Sequence, residues 1–230
     1  MAEIIIVEGP SGTGKSTSLR NIDPVAMKAV ILTPNAKPLP FRKGDAVWGN
    51  RKMLVAEMND ITPKIDSLIK KGIKLVVIED FSHYFNARIL SDEFMAKSTG
   101  SATFERWKHF AKDVMKALFL KAPVWPADVK IVVLHHVDKS DDQFAKFKIF
   151  GKLLGDNLDP VSYVRIVLHT TILPDRKGDD RFVFQTQQDH MREAKSPMGM
   201  FSEMYIPNDL KEVVELVEAY DKEEIPVPSN

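Results

Sequence analysis

The sequence predicts a single α/β domain: a mostly parallel central sheet flanked by helices, with an antiparallel hairpin at one edge. Three observations lead there. Apolar runs at residues 3–8, 29–33, 74–78 and 129–134 have the length of buried strands. Between them lie stretches whose apolar residues recur every three or four positions, the spacing of amphipathic helices. The first run passes directly into Gly9-Pro-Ser-Gly-Thr-Gly-Lys15-Ser16-Thr17, which fits the phosphate-loop pattern G-x-x-x-x-G-K-[ST].

The chemistry of phosphate binding explains that pattern. Backbone N–H groups can hold a polyphosphate only if the chain comes very close, and Gly9, Gly12 and Gly14 remove the side chains that would prevent it. Residues after Lys15 can open a helix, limited by Pro24, whose N-terminal dipole favours an anion. Within the loop, Gly9, Pro10, Ser11, Gly12, Thr13, Gly14, Lys15, Ser16 and Thr17 form the expected nucleotide contacts. Lys15 should reach the β- and γ-phosphates, and the Ser16 hydroxyl should bind Mg²⁺. The bland alternative is a glycine-rich strand-to-helix turn. The expected ligand is a nucleoside triphosphate, ATP, with Mg²⁺.

Composition sets the bounds. The chain has 230 residues, enough for one domain with a sizeable core. Lys plus Arg and Asp plus Glu stand at 32 each, so no overall field draws in a polyanion, and any nucleic-acid contact needs a local patch. There are no cysteines, which excludes disulfides and thiolate metal sites and agrees with a reducing compartment. No signal peptide is expected before the first strand, and no apolar run reaches the length of a membrane span. The expected location is the cytoplasm. Residues 1–222 are read as the domain and residues 223–230 as a loose tail.

Along the chain, the strand at 29–33 breaks at Pro34, and Lys37-Pro-Leu-Pro-Phe41 reads either as a stiff surface loop or as one that faces the nucleotide or a second subunit. Thr62-Pro63 is expected to start a helix that stops at Gly72, with Thr62 as its cap. The strand Lys74-Leu-Val-Val-Ile then delivers Glu79 and Asp80. This is the Walker B pattern, with Glu79 on the metal side and Asp80 at the strand's mouth. Residues 98–103 are expected to form a joint. An amphipathic helix follows over 104–118 with Thr103 as a cap, Trp107 and Phe110 facing the core and His109 on the surface.

The fourth strand ends on His135-His136. One of these is a candidate sensor of the γ-phosphate, packing being the alternative. Lys139, Lys146, Lys148 and Lys152 then interleave with Phe144, Phe147 and Phe150. Basic groups can track a phosphate backbone while aromatic faces stack on bases, so this stretch is a candidate single-stranded DNA contact. A hairpin with its phenylalanines in the core is the competing reading, and Asp138, Asp141 and Asp142 dilute the charge. A short helix over 151–158, strands at 163–169 and 181–186, a polar loop over 191–199 and a helix over 208–220 complete the chain.

Lys37-Pro-Leu-Pro-Phe41, Ile78-Glu-Asp-Phe81, Gly151-Lys-Leu-Leu154, Lys195-Ser-Pro-Met-Gly-Met-Phe201 and Pro207-Asn-Asp-Leu210 together resemble bacteriophage ATP-binding proteins of the AAA type with a RecA-like core. The resemblance spans nearly the whole chain. It implies a RecA-like P-loop NTPase domain, similar to short single-strand-annealing proteins that act in phage recombination beside a single-stranded-DNA-binding protein. By position it implies that Lys15 and Ser16 hold phosphate and Mg²⁺, that Glu79 and Asp80 form Walker B, and that Lys195 reaches a neighbouring copy's γ-phosphate in a homo-oligomer. One departure is clear: where such ATPases often carry a water-activating glutamate after the second strand, this chain has Thr33 and Asn35, neither of them a base.

Three functions follow from these residues. The first is a DNA-dependent recombination ATPase, and the second a nucleotide-gated binding protein with little turnover. The third, a small-molecule or nucleotide kinase, lacks the arginine-rich lid that would clamp a transferred phosphate. Arg20, Arg42, Arg51, Arg88 and Arg106 are scattered.

Overall fold

The structure, a computed structural model, describes residues 1–95, 101–139, 144–148, 159–174 and 180–223. Strand β1 (Glu3–Gly9) is buried at every position, as a strand covered on both faces must be. It pairs in parallel with β5 (Lys130–Lys139) on one side and β7 (Ile166–Pro174) on the other. Beyond β5 lie β4 (Leu75–Ile78), β2 (Ala29–Thr33) and the short β3 (Lys52–Leu54), all parallel. Past β7, β8 (Asp180–Gln185) and β9 (Tyr205–Pro207) add antiparallel pairs, giving the order β3-β2-β4-β5-β1-β7-β8-β9. This is a mostly parallel sheet with an antiparallel edge. One strand, β5, stands between the strand bearing the phosphate loop and the strand bearing the paired acids.

Two apolar layers cover the sheet. On one face, Ile4, Ile6, Val76, Ile78, Ile131 and Val133 pack with helices α2 (Ile61–Lys70), α3 (Phe81–Ile89) and α5 (Ser101–Ala117), and the short α4 (Asp92–Met95) adds Phe94. On the other, Ile5, Val7, Ile31, Val77 and Val132 meet Trp48 of α1 (Gly44–Trp48) and Leu210, Val213 and Val217 of α6 (Leu210–Asp221). Alternation along each strand sends successive side chains to opposite layers, and this divides the core in two.

Several local expectations change. The segment after the phosphate loop is a six-residue 3-10 turn (Ser16–Asn21), not an α-helix, so its dipole is short. Thr62 does not cap α2; it lies inside the helix and its hydroxyl donates to the Ala117 carbonyl at 2.7 Å, tying α2 to the end of α5. Thr103 likewise sits within α5, which begins at Ser101. Asp209 caps α6 by accepting from the Lys211 amide at 3.0 Å. The expected helix over 151–158 and the chain after 223 lie outside the described residues.

Candidate functional site

Parallel strands end together, so their C-terminal edge gathers the loops that follow β1, β2, β4 and β5. A cleft of about 380 Å³ opens there. It is lined by Ser11, Gly12, Gly14, Lys15, Ser16 and Thr17 from the phosphate loop, Lys37 and Pro40 after β2, Asp80, Ser82, His83 and Asn86 after β4, and His136 of β5. Register explains the grouping: Gly9 pairs with His136 and Ile78 with Val133, so the loop, the acids and the histidine leave the sheet within a few residues of one level.

The loop is tightly seated. A Cβ on Gly9 would lie 2.0 Å from Thr170 Oγ1 and 2.9 Å from the Thr170 carbonyl, so only glycine permits this approach to β7. Thr13 Oγ1 meets Thr170 Oγ1 at 2.5 Å and donates to the Pro10 carbonyl at 2.8 Å. Gly14 has φ of 97° and backs onto Phe182 and Asn208. The Asn208 side-chain amide is buried there with neither its oxygen nor its nitrogen bonded.

Lys15 is nearly buried and folds over the loop, donating to the carbonyls of Gly9 and Pro10 at 2.7 Å each and lying 3.4 Å from His136 Nδ1. Burial pulls its ammonium down to about 8, Lys37 pulls the same way, and Asp80 and Glu8 oppose them. The resting lysine is held where a phosphate oxygen could replace the carbonyls.

Glu79 is buried and hydrogen-bonded to the Ser16 side chain. Burial raises its carboxyl, and the Ser16 bond opposes that rise. Asp80, the next residue, is half-buried and adopts φ 50°, ψ 45°, a left-handed conformation that costs little for an aspartate. That turn sends Glu79 towards Ser16 while Asp80 faces the cleft, with Oδ1 3.8 Å from His136 Nε2. A hydroxyl beside carboxylates is a hard oxygen set. No group of three or more His, Cys, Asp or Glu able to hold a metal occurs among the described residues. Few protein ligands, with phosphate oxygens and water completing the shell, fit Mg²⁺ rather than a self-sufficient metal cage.

The two histidines part company. His136 is half-buried in the cleft, its backbone amide donating to Ser82 Oγ at 2.8 Å. Burial and then Lys15 lower its pKa. His135 does not reach the cleft. It is fully buried, stacked on Phe147 at 3.6 Å between centroids, within 3.2 Å of Ser82 Oγ and 2.8 Å of the Lys148 carbonyl. Burial drives it down to about 3, so it stays neutral as a core residue. Of the pair, only His136 lines the cleft.

That stacking also revises the lysine–phenylalanine reading. Strand β6 (Ala145–Phe147) folds back on β5, and Phe147 is buried against His135 and Phe85. Its face is used by the core and is not offered to a base. Lys146 on the same strand is exposed, and Phe144 and Lys148 are half-buried. Lys139 ends β5, while Lys152 lies outside the described residues. Lys195 does not line the cleft of its own chain; its backbone pairs with Val167 of β7, donating at 2.9 Å and accepting at 2.8 Å.

Two features escape sequence reasoning. Ser82, His83 and Asn86 enter the cleft because α3 begins at its floor. Glu8, at the end of β1, is wholly buried, with Oε1 3.3 Å from His169 Nδ1 and Oε2 unbonded. Burial, then Glu193, pushes Glu8 well above the carboxylate range, and burial pulls His169 down to about 4. An acid closing a buried strand was the available signal for Glu8; its histidine partner depends on strand register.

No protein-family model matches the chain, and no curated protein matches it. Among solved structures, the Legionella pneumophila ATPase DotB is similar at 11% sequence identity, with a TM-score of 0.39. The alignment covers 96% of this chain and 52% of DotB, so the chain spans about half of that protein's length. No helix among the described residues is long and apolar enough to cross a membrane.

Proposed function

We propose that this chain binds ATP with Mg²⁺ in the cleft and hydrolyses it slowly. The observation that carries the reading is the convergence of Lys15, Ser16, Glu79, Asp80 and His136 at one end of the sheet, beneath a loop with the full phosphate-binding pattern. In this reading Lys15 exchanges its carbonyl partners for phosphate oxygens. Ser16 and Glu79 hold Mg²⁺, which when bound neutralises phosphate charge. Asp80, facing the cleft at the Glu79–Asp80 turn, orients the attacking water, and His136 contacts the terminal phosphate. Slow turnover follows from the absence of a base at Thr33 and Asn35.

The polymer partner proposed is single-stranded DNA, in a recombination or annealing role. The sequence resemblance supports it, as does exposed Lys146 on the hairpin that extends β5 past the sheet edge. With Phe147 committed to the core, the grip would come from lysines and would weaken steeply with salt. Lys195 would then serve a neighbouring copy in a homo-oligomer, and a single-stranded-DNA-binding protein is the proposed accessory partner.

The deciding measurement is ATP hydrolysis by the purified protein with and without single-stranded DNA, alongside calorimetric ATP binding. Lys15→Ala should abolish binding. Unchanged binding would remove the loop assignment, whereas binding and turnover indifferent to DNA would leave the nucleotide-gated reading in place of the recombination one.

A further inference from the structure

The segment between β2 and α1 is too rich in proline for regular structure, yet it is held at several points. Asn35 Oδ1 accepts from the Lys37 amide at 3.0 Å, and Thr33 Oγ1 donates to the Asn35 carbonyl at 3.0 Å. Lys52 Nζ donates to the Lys37 carbonyl at 2.5 Å and to Asp45 Oδ1 at 2.9 Å; that same oxygen accepts from the Leu39 amide at 3.3 Å. Leu39 is buried, and a Cβ on Gly44 would lie 2.8 Å from Leu39 Cβ, so the loop closes tightly on itself. These bonds fix the backbone on both sides of Lys37 and leave its side chain in the wall of the cleft.

The position along the sheet edge matters. Strand order places the end of β2 beyond β4 and β5 as seen from β1. Lys37 therefore stands on the far side of Asp80 and His136 from the phosphate loop. Lys37 is felt electrostatically by Lys15, His136 and Glu79, so its charge acts on the same space as theirs. The cleft's other wall groups are Lys15, His83 and His136 against the single carboxylate of Asp80, with Glu79 behind Ser16. A lysine so placed meets the phosphate that extends furthest from the loop.

We infer that Lys37 is a specificity-determining residue, a second cation that engages the terminal phosphate and makes the cleft select a nucleoside triphosphate over a diphosphate. This rests on the nucleotide reading of the cleft. Because the loop backbone is bonded in place before any ligand arrives, only the Lys37 side chain has to be ordered when the phosphate is met.

The test is calorimetry of a non-hydrolysable ATP analogue and of ADP, each with Mg²⁺, on the wild-type protein and on Lys37→Ala and Lys37→Arg. Removing one charge-assisted contact should weaken the ATP analogue about tenfold while ADP changes less than about twofold. Lys37→Arg should restore most of the preference. Since Lys37 is exposed, folding is expected to survive, and the melting temperature serves as the control. Equal losses for both nucleotides, or no loss for either, would overturn the inference while leaving the cleft's nucleotide role intact. A wild-type protein that binds neither nucleotide would overturn both.

Discussion

At the edge where the strands begin, Arg165 bonds both Glu3 and Asp221, its Nε donating to Glu3 at 2.6 Å and its Nη2 to Asp221 at 2.6 Å. Lys130 approaches Asp221 at 3.6 Å, and Lys74 meets Asp128. At the edge where the strands end, Lys15 rests on two backbone carbonyls, Asp80 faces His136 across 3.8 Å, and the Asn208 amide and one Glu8 oxygen are buried unbonded. One edge settles its charges among themselves. The other holds them against loop backbone, in a left-handed turn and around a cleft. Of these two edges, the second is the one that keeps buried polar groups, Asn208 and one Glu8 oxygen, without partners.

Three changes would break or sharpen that contrast. The largest effect belongs to Gly9→Ala, which forces a Cβ onto Thr170 at the root of the loop. It should cost about 3 kcal/mol in denaturant unfolding and remove nucleotide binding as well. Next comes pH. Lys15 carries its proton up to about 8 in the free protein. Its protonated form is the one that attracts phosphate, so affinity for ATP should hold steady below that pH and fall as pH rises through it. Calorimetric titrations from pH 7 to 9 should show roughly a tenfold loss. The smallest effect is expected from Arg165→Ala. A half-exposed ion pair contributes little, so stability should drop by about 1 kcal/mol with nucleotide affinity unchanged. If that variant altered binding, the two edges would not be separable.

What the sequence made legible was local in origin. The run Glu3-Ile-Ile-Ile-Val-Glu8 followed by the glycine pattern specifies both strand and loop, and four apolar residues before Glu79-Asp80 specify the acid-bearing strand. The antiparallel pairing of β7 with β8 was readable from two apolar runs and the turn residues between them. Strands β3, β6 and β9 have three residues each, too few to show a period. The division of labour between His135 and His136 needed the alternation of β5 together with the fold-back of β6, a contact between distant parts of the hairpin. Lys37 needed the bonds from Lys52 and Asp45, which no periodicity encodes. Even the turn after the loop, with good helix-opening residues, settled into 3-10 geometry, ending before Pro24.

The strand that carries the loop also has a consequence for motion. All seven residues of β1 are buried, and the strand is bonded along its length to β5 and over its later half to β7. Its amides can meet solvent only when the centre of the sheet comes apart, so their hydrogen exchange is tied to global unfolding rather than to local opening. The loop is thus rooted in the slowest-breathing part of the molecule. The turn past Ser16 is anchored as well, with Leu19 buried in the core and Arg20 donating to the Asn208 carbonyl at 2.5 Å.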